Sequence, residues 1–196
     1  MKRGTVESLW VSSVLVLLGV GLRLYFQEIP NFAPVAAVAL FAGYYLSSRK
    51  WALAVPVATM LISDRLIGGY QPALMLANYA LLSLPALCGG SLRKHFDIAS
   101  ANGRRSTLSL VGLLGCSLGA SIIFFVGSNL VTWAVTPWYT RDISGLVNCY
   151  VNAIPFFRYT LLGDLSFAAC LFGGYATVKS LHQIAQPVPA RETVRR

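Results

Sequence analysis

The sequence predicts an all-α protein, a polytopic membrane helix bundle of about six transmembrane helices with both ends on the cytoplasmic side. Three observations carry that prediction. Residues of the AVILMFWYC set fill 56% of the 196 positions and charged residues only 12%, with a mean hydropathy of +0.62, whereas a soluble globular protein carries about a quarter charged residues. The apolar residues gather into runs suited to crossing about 30 Å of hydrocarbon, roughly 20 helical residues each. The basic residues, finally, divide unequally between the connections. The solvent is therefore a bilayer, which excludes a secreted disulfide scaffold, a disordered tail and a nucleic-acid binder that would use the net charge of +9.

The first run, 8–26, follows the basic start MKRG. It reads as a retained span and not a signal peptide, because RLYFQEIP follows it where a small-residue cleavage site is needed. The second, 33–48, is short, and Pro30 and Pro34 punctuate the NFAP turn before it, since proline cannot extend a helix inward from its carboxyl side. Runs at 51–68, 73–92, 107–130 and 158–179 complete six spans within one integral membrane domain, 1–196, leaving an outer loop at 131–157 and a cytoplasmic tail at 180–196. Within the outer stretch 129–157, the segment 143–153 is apolar yet shorter than a crossing and reads as an interfacial or re-entrant helix ending at Pro155.

With the N-terminus placed in the cytoplasm, twelve of the sixteen basic residues fall inside: Lys2, Arg3, Arg49, Lys50, Arg93, Lys94, Arg104, Arg105, Lys179, Arg191, Arg195 and Arg196. Arg23, Arg65, Arg141 and Arg158 remain outside. Of the seven acids, Glu7, Asp97 and Glu192 lie inside and Glu28, Asp64, Asp142 and Asp164 outside. The whole net charge thus faces the anionic inner leaflet of a plasma (inner) membrane, where each basic residue gains about 1 kcal/mol.

Asp64 in the third span and Asp164 in the sixth are the charges to explain, because an aspartate at the bilayer centre costs roughly 2.5–3.5 kcal/mol and faces protein or water. Counted from the inner boundary, both lie about 20 Å deep. Arg65 points about 100° from Asp64 and Arg158 is off the face of Asp164, so cross-helix pairs, Asp64 with Arg158 or Asp164 with Arg65, are the natural partners. Such pairs could be a clasp between helices or part of a ligand site. Trp133, Trp138, Tyr139 and Tyr150 fit an aromatic belt; Asn129, Asn148 and Asn152 add polar groups that fit a lid over a cavity.

Small residues four apart let helices approach in lipid. Ala33 with Ala37 and Ala39 with Gly43 mark the second span, Gly115 with Gly119 the fifth, and Ala169 with Gly173 the sixth. Internal packing accounts for all of them, with docking of another subunit as the alternative for the second span. Cys88, Cys116, Cys149 and Cys170 show no ligand or disulfide spacing. His95 and His182 lack neighbouring acids or cysteines, so no metal site is expected. The residues before Asp64 and Asp164 do not fit an intramembrane aspartyl protease with a Gly-x-Gly-Asp motif, and no GxxxxGK[ST] phosphate loop is present. No enzyme and no cofactor are expected.

The run PNFAPVAAVALFAGYYLSSRKWALAVPVATMLISDRLIGG at 30–69 and the run NCYVNAIPFFRYTLLGDLSFAACLFG at 148–173 resemble a family of small bacterial six-span membrane proteins of uncharacterised function. The first run is also similar to the substrate-binding S components of energy-coupling-factor transporters. That resemblance implies six helices, a substrate cavity near the outer face, and docking of an Ala-x-x-x-Ala helix, here Ala33 and Ala37, on a coupling membrane subunit served by ATPases. In those S components the docking motif lies in the first helix, whereas here it opens the second. The expected function is a solute-binding subunit of an uptake transporter that captures a small molecule with Asp64, Arg65, Asn78, Arg158 and Asp164 beneath Trp133 and Trp138. A non-transporting membrane protein held together by its buried charges is the alternative, and an intramembrane enzyme the third.

Overall fold

A computed structural model of the chain describes residues 4–95 and 103–185. Among them all regular structure is helical: α1 (Thr5–Tyr25), α2 (Val35–Tyr45), α3 (Arg49–Ile67), α4 (Pro72–Ser83), α5 (Pro85–His95), α6 (Gly103–Val135) and α7 (Ile143–Ala185). Four stretches are long and apolar enough to cross a membrane, namely Thr5–Tyr25, Pro72–His95, Leu108–Val135 and Ile143–Ala185. By length and composition this is a membrane protein. Lys2, Arg3, Asp97, Arg191, Glu192, Arg195 and Arg196, which entered the charge count, lie outside the described residues, as do the side chains of Arg104 and Arg105.

α2 is the centre of the bundle and touches each of the other six helices. Val35 to Tyr44 are all buried and none is charged; a helix apolar all round has no face to turn outward and packs inside. Where α2 crosses α5, a Cβ at Gly43 would lie 1.9 Å from the Ala86 carbonyl oxygen and one at Gly89 2.3 Å from that of Leu40. The two backbones touch, and only glycine fits at either position. On its other side Phe41 and Tyr44 meet Phe172 of α7 edge-on at 5.1 and 5.3 Å.

The second span is shorter than the sequence predicts. Its 11 residues come to about 16 Å, half the hydrocarbon thickness, so α2 does not cross by itself. Residues 26–34, between α1 and α2, are irregular backbone, with Ile29 N–H bonded to the Phe26 carbonyl at 2.9 Å and Phe32 N–H to that of Ile29 at 3.2 Å. Asn31 takes φ +60°, a left-handed conformation that asparagine tolerates better than most residues. Ala33 then seats on α7, where a Cβ at Gly163 would come within 3.3 Å of its nitrogen.

A second correction concerns Pro155. The segment 143–153 is helical but does not end there: α7 runs unbroken through the proline for 43 residues. Proline removes one helix hydrogen bond and crowds the preceding turn. Here α6 supports the helix on both sides of it, because the Phe125 ring meets Tyr150 before the proline at 5.7 Å and Phe157 after it at 4.5 Å. The expected outer loop 131–157 shrinks to the connection 136–142. The fourth run is interrupted instead, at Leu84, where Pro85 cannot donate to continue the helix.

The small-residue pairs divide. Ala37 is 2% exposed inside the bundle, so α2 presents no free Ala33–Ala37 face to a separate subunit. Gly115, Gly119 and Gly173, read as internal packing, have nothing within 4 Å of a would-be Cβ among the described residues. One end of the bundle is basic: Arg49 and Lys50 open α3 there, and Arg93 and Lys94 close α5.

Candidate functional site

α1 and α3 run parallel, so close at Gly19 that a Cβ there would meet the Thr59 side chain at 2.8 Å. That register carries Arg23, in the last turn of α1, onto the last turns of α3. Its guanidinium donates to the Ser63 hydroxyl and to one carboxylate oxygen of Asp64, forming an ion pair. Tyr79 of α4 donates to the other oxygen of Asp64 at 2.9 Å. Ser63 is held in turn by donating to the Thr59 carbonyl at 2.6 Å. Asp64, 2% exposed, is thereby paired on both oxygens.

Asp164 stands at the midpoint of α7, with 21 residues of the helix on either side. It is also buried, but its recorded partner is a neutral one: Ser121 of α6 donates to it at 2.6 Å. Among the described residues no cation pairs with it.

Between these groups lies a cavity of about 300 Å³, lined by Arg23, Asp164, Tyr70, Asn78, Thr160 and the irregular segment 26–33, together with apolar side chains that include Phe124. Asn78 donates to the Tyr70 hydroxyl at 3.0 Å. Burial pushes the Tyr70 phenol, in the α3–α4 connection, above its ordinary range, so it stays protonated. A second cavity of about 180 Å³ shares Asn31, Asn78, Phe124 and Thr160 and adds Ser128, Asn129 and Thr132. The combined lining offers a guanidinium, a carboxyl, amides and aromatic faces within a volume at the lower end of small-molecule sites.

Of the residues expected at a site, the structure brings Asn78 and Asp164 to the cavity wall, while Asp64 stands behind it through Arg23. The expected pairs are corrected: the partner of Asp64 is Arg23, and neither Arg158 nor Arg65 forms an ion pair among the described residues. Arg158 is exposed and lies on the ring of its neighbour Tyr159, 4.6 Å from the centroid; Arg65 is exposed. Trp133 donates to the Thr140 carbonyl at 2.8 Å and lies near Arg141, and Trp138 is 71% exposed. Neither lines these cavities. Asn148 and Asn152, counted toward a lid, are exposed on α7.

Arg23, Tyr79, Ser121 and Tyr70 were not among the expected site residues. Arg23 could have been found by the depth count applied to the aspartates: it lies 18 residues from the start of α1 and Asp64 lies 15 from the start of α3, about 27 and 22 Å. Among the described residues no three of His, Cys, Asp and Glu come together as a metal site.

Fold and site together define a helical membrane protein with an irregular, polar-lined cavity inside its bundle. The chain belongs to a family of unknown function (DUF6580), whose model matches residues 4–187. No curated protein and no solved structure matches it.

Proposed function

We propose that this protein is an integral membrane solute-binding subunit of an uptake transporter, similar in role to S components. It takes a small polar or aromatic molecule into the cavity bounded by Arg23, Asn78, Asp164 and residues 26–33. In this reading six spans place both ends and the basic end in the cytoplasm, in a plasma membrane, and the cavity opens to the outer side. Coupling to energy comes from a partner membrane subunit and its ATPases, by a surface other than Ala33 and Ala37.

The observation that carries the reading is the polar-lined cavity walled by the non-helical segment 26–34, which is exposed at 27–31 and packs through Phe32 and Ala33 on Gly163 of α7. Concave sites with a few convergent polar groups among apolar walls are where small molecules bind. Asp164 adds a carboxyl that no cation pairs among the described residues and that Ser121 meets on one oxygen, with capacity for a cationic or hydrogen-bonding group of a solute. The Arg23–Asp64 pair, by contrast, favours a bundle clasp.

The test is a metabolite and vitamin screen on purified, folded protein by thermal shift. A true ligand raises stability by RT ln(1 + [L]/Kd), about 2.7 kcal/mol at a hundredfold excess over Kd, and Asp164→Asn and Asn78→Leu remove that rise. A screen in which nothing shifts the wild type while both variants melt normally would count against the reading.

A further inference from the structure

A third cavity, of about 340 Å³, opens at the basic end between α2, α3 and α5. Arg49, Arg93, Lys94 and His95 line it together with Ser47 and Ser91, and among the described residues no Asp or Glu lines it. Arg93 is fixed in place by donating to the Leu46 carbonyl at the end of α2, at 3.0 Å. Arg49 and Lys94 have no ion-pair or hydrogen-bond partner among the described residues. α3 begins here at Arg49 with no acid in its first turn, while α2 and α5 end here, so the helix dipoles oppose one another and the side-chain charges set the field. Three permanent like charges around one concavity repel each other. An anion between them turns that repulsion into attraction, and guanidinium groups match phosphate oxygens in pairs.

The same wall identifies the source of the anion. Leu87 also lines the cavity, and it precedes Lys94 by seven residues, about 10 Å along the same face of α5. Leu87 is 50% exposed. A chain of apolar carbons running from a phosphate at Lys94 toward the bundle centre would lie along this face. We propose that this cavity seats the phosphate of an anionic phospholipid, its headgroup between Arg49, Arg93 and Lys94 and an acyl chain against Leu87.

Native mass spectrometry of the full-length protein, offered equal phosphatidylglycerol and phosphatidylcholine of the same acyl chains, tests the assignment. Phosphatidylglycerol should be retained preferentially. Arg49→Gln and Lys94→Gln should each lower that preference about fivefold, whereas Lys50→Gln, at the same end but outside the cavity, should leave it unchanged. Both side chains are exposed, so melting in phosphatidylcholine should match wild type and certify folding. Equal losses for all three variants would mean a diffuse surface charge, and no loss for Arg49→Gln and Lys94→Gln would leave the cavity without a role; either overturns the proposal. Millimolar inorganic phosphate is the competing arm: if it displaces the lipid and stabilises the protein as well as phosphatidylglycerol does, the anion is a free solute and the lipid assignment fails.

Discussion

Asp64 and Asp164 are both buried on long helices near the same cavity, yet their surroundings differ in kind. Asp64 is paired on both oxygens by its own chain, with Arg23 of α1 on one and Tyr79 of α4 on the other. Asp164 has one neutral donor, Ser121, and faces the cavity. A carboxylate that the fold already neutralises is part of the frame. One that the fold leaves with a single hydroxyl keeps capacity for something the chain does not supply.

The largest expected effect attacks the frame. Asp64→Ala leaves the partly buried Arg23 guanidinium without its carboxylate and should cost about 2–3 kcal/mol, the upper range for hydrogen bonds to a charged group, read by reversible unfolding in mixed micelles. Adding Arg23→Ala should recover part of that loss, a coupling between contacting residues. Arg158→Ala and Arg65→Ala should recover none; if either does, the pairing described here is wrong. Next in size, Tyr79→Phe removes one hydrogen bond to a charged group, about 1.5 kcal/mol, and this cost should vanish in an Asp64→Ala background. Asp164→Asn should be milder, about 1 kcal/mol or less, since a neutral bond to Ser121 can survive in the amide. If it destabilises as much as Asp64→Ala, the contrast between the two residues collapses.

The smallest effect uses a third carboxylate, in water. Asp142 accepts from the Gly145 N–H and from the Thr140 hydroxyl, each at 2.7 Å, and these bonds hold its carboxyl below the ordinary 3.8. Because the folded value is depressed, the stabilisation is present in full above the unfolded value and is lost as pH falls through the folded one. The gap in melting temperature between wild type and Asp142→Ala should therefore be constant at neutral pH and close only in acid below pH 3.8. A gap that closes nearer neutrality would remove this cap from the account.

Much of the fold was legible in the sequence for a simple reason: apolar runs set helix positions, and α1 and α3 fall within three residues of the runs at 8–26 and 51–68. α7 was misjudged because proline was taken as a terminator, a local rule, whereas the neighbouring Phe125 that bridges Pro155 is 30 residues away in sequence. The true partner of Asp64 escaped for a related reason. Arg23 ends an apolar run and so looks like a boundary charge, and only the parallel register set by Gly19 and Thr59 turns it inward. Asp164 and Asn78 were legible because polar groups within apolar runs announce themselves.

The central position of α2 sets an order of events during synthesis. Its close partner α5 is complete about 50 residues after α2, but Phe172, which covers Phe41, follows that residue by 131 positions. At about 5–20 residues per second, an apolar helix too short to span waits roughly 7–26 s for its last wall. During that interval the glycine contact between Gly43 and Gly89 is what can hold it in place, so a methyl group added at either position should act on nascent chains before it acts on finished ones.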